Sequence, residues 1–227
     1  MSVTHHPSDA VLVAYGAGSL GEGLALVVAG HLAFCPRCRD RIASIEAVGG
    51  ALLEEIEPQA PEAAMDPGAL DAMLARLDTL PADVPLPPPA APVGLKLDFD
   101  VPPALRASLA TPGADTAWRM AGPGVRQLVL HRPRHVGGPT AMLMRIAPGR
   151  KMPVHGHRGV EMTLVLDGGF SDEIGHFVAG DVAEVDPDTD HTPVADRGRD
   201  CICLVAVDAP IEFRGPILGP LQRLFGR

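Results

Sequence analysis

Aromatic residues make up only 4% of this 227-residue chain, so its core must be built mainly from Ala, Val and Leu. Basic residues are in the minority: 19 Lys+Arg stand against 28 Asp+Glu, a net charge of −9. That balance argues against a general nucleic-acid surface, which needs clustered Lys and Arg to neutralise phosphates. No apolar run reaches the ~18–20 residues that span a bilayer. The longest, Leu24 to Phe34, is interrupted by Gly30 and His31. Met1 to Asp9 carries neither a basic n-region nor a leader-like apolar run, so a cytoplasmic location is expected. Four cysteines are too few for a disulfide scaffold. They form two close pairs, Cys35/Cys38 and Cys201/Cys203, which read first as metal or redox chemistry. There is no internal repeat, and no glycine pattern of a Rossmann or phosphate-binding loop.

What is present is the composition of a globular chain, 46% hydrophobic and 21% charged, with abundant turns from 25 Gly and 24 Pro. Its length suits one large or two small domains. Residues 1–80 hold 11 Asp+Glu and 4 Lys+Arg, a net −7, and their apolar spacing predicts helices. Ser8 and Asp9 can cap a helix after Pro7 that ends at Gly16. Ser19, with Glu22 three residues on, predicts a second from Leu20 to about Phe34. Pro36 sits in the first turn of a third, Cys38 to Glu57, with Ile42, Ile45, Val48, Leu52, Leu53 and Ile56 on one side. Asp66-Pro67 opens a fourth, carrying Leu70, Met73, Leu74 and Leu77. Six of the twelve residues from Pro81 to Pro92 are proline, the mark of a semi-rigid spacer. Beyond it the period changes. Val125–His131, Ala141–Ile146, Glu161–Leu166, Phe177–Val178 and Cys201–Val207 read as short strands between Gly, Pro and Asp turns, the pattern of an all-β sandwich or barrel. The expected organisation is α+β: a small helical region (1–80), a proline-rich linker (81–96), a β-barrel (97–213) and a tail (214–227).

The first constellation is His31-x3-Cys35-x2-Cys38. Two thiolates three apart at a helix start can converge on one ion, and His31 can add a third ligand from the end of the preceding helix. His5 or His6 can supply a fourth; His6 is preferred because it abuts Pro7 at the helix entrance. A closed shell would staple three short helices whose own core is thin, since a domain of ~80 residues is marginal alone. The alternative for Cys35 and Cys38 is a redox pair, or a chance pair on a helix. This region resembles the zinc-binding anti-sigma domain, whose N-terminal His and later His-x3-Cys-x2-Cys match His6, His31, Cys35 and Cys38. The resemblance implies a structural Zn2+ and a helical domain that wraps a sigma factor. The acidic balance is compatible with a basic partner surface.

The second constellation is Gly149-x5-His155-x-His157-x3-Glu161-x6-Gly168, followed by Gly180-Asp181-x5-Pro187-x3-His191. His155 and His157 lie i, i+2 on a strand and share a face. Glu161 enters the next strand and His191 arrives from a distant one. Three imidazoles and a carboxylate suit a first-row divalent ion. These resemble the two cupin motifs; the resemblance covers about Leu97 to Phe213 and implies a small β-barrel with the ion in its mouth. The second motif departs from the usual form: Asp188 stands near a common glycine, and Ala195 replaces the frequent trailing Asn. His131, His135 and His176 are expected as surface or turn residues. Cys201 and Cys203 share a strand face, either as small core residues or as an oxidisable pair near the metal. Met142 and Met144 alternate in the same way and are expected in the core.

Together the two halves resemble the ChrR family of zinc-dependent anti-sigma factors. The resemblance implies a 1:1 complex with an extracytoplasmic-function sigma factor, no enzymatic activity, and Zn2+ as the first choice for the second ion. It also implies release of the sigma factor on oxidative stress, by singlet oxygen or organic hydroperoxide, sensed through the cupin. The rival reading is a metal-dependent cupin dioxygenase or hydrolase with a helical interaction domain. A four-ligand shell on an octahedral ion leaves two open positions, but no general acid or base is evident besides Glu161. A DNA-binding zinc regulator is disfavoured by the net −7 of the helical region.

Overall fold

The computed structural model describes residues 3–57, 65–79, 97–109, 115, 117–131 and 138–213. The expected spacer over 81–96 and the tail over 214–227 lie outside the described residues, as does His135. Five helices precede or flank the strands: α1 (Asp9–Gly16), α2 (Glu22–Leu32), α3 (Pro36–Glu54), α4 (Ala69–Asp78) and α5 (Pro103–Leu109). Ser8 caps α1, its hydroxyl accepting the Val11 N–H. The expected cap of α2 is displaced: Gly21 occupies the N-cap, and the Ser19 hydroxyl turns back to donate to the Ala14 carbonyl. Ser19 therefore closes the turn after α1 rather than opening α2. Pro36 takes the first position of α3, and the sulfur of Cys35 acts as its cap by accepting the Cys38 N–H. The sequence pattern did not reveal α5.

Eleven strands follow: β1 (Arg119–Gly122), β2 (Val125–His131), β3 (Thr140–Ile146), β4 (His155–His157), β5 (Glu161–Asp167), β6 (Gly169–Ser171), β7 (His176–Val178), β8 (Val182–Val185), β9 (Val194–Ala195), β10 (Cys201–Val207) and β11 (Ile211–Phe213). A six-stranded antiparallel sheet runs β1-β2-β3-β10-β5-β8. A three-stranded sheet runs β7-β6-β9, and β11 pairs with β4. In the centre, Cys203 stands opposite Met144 on β3 and Val165 on β5, and Val207 opposite Glu161.

The centre of the large sheet is buried on both faces, which is why β10 reads as an unbroken apolar run. Period-two alternation sorts its residues. Leu128, Leu143, Leu164, Leu204 and Ala206 face the helices, in one core with Leu12, Val27, Val28, Ile42 and Leu105. Val165, Cys201, Cys203 and Val205 face the barrel interior with Phe170, Phe177, Ala183 and Ala195, and Met142 and Met144 pack against them. The helical region thus has no separate core: α2 lies on β10 and β5. Gly30, which interrupts the apolar run in the sequence, is where α2 comes closest. A Cβ there would stand 2.8 Å from Leu164 Cδ2.

Only the first half of α3 is covered. Ile42 is buried, but Val48, Leu52, Leu53 and Ile56 are exposed, and so are Leu70, Met73, Leu74 and Leu77 on α4. No helix among the described residues is long and apolar enough to cross a membrane.

Candidate metal centres

The first cluster forms where three chain segments meet. Pro7 starts the approach to α1, leaving His6 just before it. His31 ends α2, and Cys35 and Cys38 bracket the start of α3. One donor atom from each of His6, His31, Cys35 and Cys38 lies within 4.8 Å of the others. His6 Nδ1 is 3.4 Å from Cys35 Sγ and 3.5 Å from Cys38 Sγ. Ligands at zinc-like bond lengths on a tetrahedron are separated by about 3.3–3.8 Å, so the spacing fits. His5 is not part of the cluster; its ring turns to Asp181 and Phe177.

The surroundings fit a cation as well. The His31 Nδ1–H donates to the Gly180 carbonyl at 2.8 Å, which leaves Nε2 aimed inward, buried and without a hydrogen-bond partner. A ligand imidazole anchored through its other nitrogen has this arrangement. Burial lowers the His31 pKa, and burial with the Arg37 charge lowers that of His6, so both rings are held neutral. Burial, then the contact with Cys35, pushes the Cys38 thiol up to about 12. Neutral imidazoles keep a lone pair free for a cation, and a bound cation would hold the thiol deprotonated.

The second cluster is carried by strands of the barrel. His155 and His157 come from β4, Glu161 opens β5, and His191 is bridged to His155. All four are buried, and their donor atoms again lie within 4.8 Å of one another. His191 Nε2 is 3.0 Å from His155 Nε2, 3.2 Å from His157 Nε2 and 3.8 Å from Glu161 Oε1. The Nδ1–H of His155 donates to the Pro153 carbonyl, and that of His191 donates to Asp172. In those neutral tautomers the facing Nε2 atoms present lone pairs to one another, which a shared cation would satisfy. Burial, then the neighbouring His155 and His191, lowers His157 to about 4. Burial alone would lower His191, but the Asp172 hydrogen bond and the Glu161 charge outweigh it. Burial raises Glu161, whose carboxylate accepts the Thr163 hydroxyl at 3.2 Å.

Cys201 and Cys203 are free thiols, fully buried, with their sulfurs 3.3 Å apart in the barrel interior. The hydrogen bond between Cys203 and Cys201, together with burial, holds the Cys203 thiol well above its ordinary range. Of the remaining histidines, His131 is half-buried and 3.5 Å from Glu22, and exposed His176 is 2.9 Å from Asp196. Ala195, at the position of the frequent Asn, faces the inner core beside Phe170.

Three supporting groups escaped the sequence reading. Asp172 orients His191, the Gly180 carbonyl orients His31, and Asp181 holds the segment before His6. Asp172 has no spacing signal, because only the β6–β7 hairpin brings it to His191. Gly180 and Asp181 were visible as motif residues, but not as partners of the helical region.

An α-helical metal-binding region docked on a cupin barrel is the class that fold and clusters define. A family model described as the ChrR Cupin-like domain matches residues 107–209. The anti-sigma-E factor ChrR of Cereibacter sphaeroides is 44% identical over 226 residues, covering 99% of both chains. In solved structures, the chain is similar to ChrR in the crystal structure of Rhodobacter sphaeroides SigE in complex with the anti-sigma ChrR. That match has a TM-score of 0.69 and 42% identity, over 91% of this chain and 100% of the other. The chain belongs to the ChrR family of anti-sigma factors.

Proposed function

We propose that this protein is an anti-sigma factor that binds an extracytoplasmic-function sigma factor in a 1:1 complex, in the cytoplasm where RNA polymerase acts. The observation that carries the reading is the end-to-end similarity to ChrR, a protein solved in complex with SigE. The uncovered apolar residues of α3 and α4 support it. Eight large side chains, Val48 to Ile56 and Leu70 to Leu77, stand 47–69% exposed on helices that pack little against the barrel. Large apolar side chains left exposed on water-facing helices mark an interaction surface, and the acidic balance of residues 1–80 suits a basic partner. This is a regulatory function and not an enzymatic one.

His6, His31, Cys35 and Cys38 would hold a structural Zn2+, and His155, His157, Glu161 and His191 a second divalent ion, with Zn2+ the first choice. When bound, the first ion clamps the approach to α1, the end of α2 and the start of α3 together, fixing the direction in which α3 projects. Release answers oxidative stress, by singlet oxygen or an organic hydroperoxide, sensed in the cupin. Cys201 and Cys203 are the candidate redox pair there. With a hydroperoxide, one thiol takes the terminal oxygen to give a sulfenic acid and an alcohol, and the second thiol displaces water to close a disulfide. The sulfurs must close from 3.3 Å to about 2.05 Å. The buried thiols are inert until the strand end opens, so opening of the barrel precedes their oxidation.

The test is co-purification with the sigma factor from the native cell under reducing conditions. A stoichiometric complex that is lost in Cys35→Ala supports the reading. Absence of any sigma factor from the intact protein would overturn it. His155→Ala and Cys201→Ala should bind the sigma factor but fail to release it on oxidation; variants that still respond fully would remove sensing from the cupin.

A further inference from the structure

The two metal centres are joined by a short route through the first residues of the chain. Asp181 is fully buried, and its carboxylate accepts the N–H groups of Thr4 at 2.7 Å, His5 at 3.0 Å and Val178 at 3.1 Å. His5 Nδ1 lies a further 3.3 Å from the same carboxylate. The Val182 N–H donates to the His5 carbonyl. Residues 4 and 5 are thus strapped to the turn before β8, and the next residue is His6 of the first centre. Gly180, one residue before Asp181, gives its carbonyl to His31. It sits at φ +96, where a Cβ would stand 2.9 Å from Val3 and 3.1 Å from Phe34. Two consecutive cupin residues therefore locate two of the four donors of the first centre.

On its other side the strap reaches the second centre. Asp172 Oδ2 accepts the His191 Nδ1–H at 3.0 Å, while Oδ1 accepts the N–H groups of Ile174 and Gly175. The His5 ring covers that turn: its Nε2 lies 3.4 Å from where a Cβ on Gly175 would be, and its face packs on Phe177 at 4.5 Å. The route runs from His191 through Asp172 and its turn to His5, and then through Asp181 and Gly180 to His6 and His31.

We propose that His5 and Asp181 are positioning residues of the first metal centre that couple its metal affinity to the state of the second. The proposal rests on both clusters holding metal. Metal at the second centre fixes His191, Asp172 and the turn beneath His5. That holds the strap in the register in which His6 faces the cysteines. Coupling of binding free energies is reciprocal and of the order of 5–150-fold in typical cases, so each centre should bind about fivefold or more tightly when the other is filled.

The probe is Co2+ titrated into the full-length reduced protein. The thiolate-to-cobalt charge-transfer band reports the first centre alone, because the second cluster contains no sulfur donor. His155→Ala empties the second centre without touching the route, and should weaken cobalt binding at the first about fivefold or more. In a His5→Ala background, first-centre affinity should already be reduced, and adding His155→Ala should weaken it no further. The His5 side chain is 38% exposed, so this variant is expected to fold. Equal effects of His155→Ala with and without His5 would overturn the coupling, as would no effect in either background. Absence of the charge-transfer band in the unmutated protein would sink the metal reading and this proposal with it, whereas a normal band with no coupling sinks only the latter.

Discussion

The two candidate metal clusters share histidine donors, completed by two thiols in the first and a carboxylate in the second, and they are held in different ways. The second is set in the barrel, with all four donors buried on or beside paired strands and His155, His191 and Glu161 each tied to a nearby group. The first draws its donors from a chain end and two helix ends, His6 is only half-buried, and its alignment depends on Gly180 and Asp181 of the barrel. A sheet fixes side chains at defined spacing through its ladders, whereas helix ends need an added staple. The first cluster is therefore the one whose loss should disorganise its surroundings, and the second is the one whose state can change while the scaffold stays folded.

Cys38→Ala tests that contrast most severely. Structural zinc contributes on the order of 10–16 kcal/mol of apparent binding free energy in small zinc domains. The variant should lose one of two bound ions and all sigma-factor binding, read by metal analysis and co-purification. Retention of both would mean that the sheet alone organises the helices. Leu204→Ala probes the shared core. This fully buried residue faces the helices from β10, and its truncation should cost about 2–5 kcal/mol. Urea unfolding followed by helix and strand signals should shift together; separate transitions would mean that the two regions are energetically independent. Asp172→Ala should weaken metal binding at the second cluster by roughly 10–100-fold without unfolding the barrel, as measured by competition with a chromophoric chelator.

The smallest effect concerns the strap. Burial alone would raise the Asp181 pKa, but the N–H groups of His5, Thr4 and Val178 outweigh it and hold it below the ordinary carboxylate value. A carboxyl depressed in the folded state contributes stability above its unfolded pKa and loses it as pH falls through the folded one. Asp181→Asn should therefore be less stable than the parent at neutral pH, by about 1–3 kcal/mol for hydrogen bonds to a charged group. The gap should narrow as pH falls into the carboxylate range. A gap independent of pH would show that the charge is not what holds the strap.

Much of this was legible without coordinates where the signal is local. The spacing of His31, Cys35 and Cys38 across a helix–turn–helix places them together whatever lies around them. The β-rich runs of β3, β5 and β10, bounded by turn residues, marked strands at nearly their observed bounds. The short strands β1, β6, β8, β9 and β11 and helix α5 were not legible, because two to seven residues carry too little periodicity. The choice of His6 over His5 rested only on its place beside Pro7; what separates the two rings is the rest of the molecule, since Asp181 takes His5 while the cysteines lie beside His6.

Residue order alone therefore specified which side chains can chelate, through spacings of two to four positions that a helix end or a strand converts directly into distance. It also specified the acidic, aromatic-poor character of the helical region. The docking of α2 along Gly30, the carbonyl of Gly180 behind His31, Asp172 behind His191 and the strap at Asp181 were settled only when the chain folded. Each joins residues that are between 19 and 177 positions apart, and no local periodicity encodes a contact whose partner is chosen by the closing of a barrel.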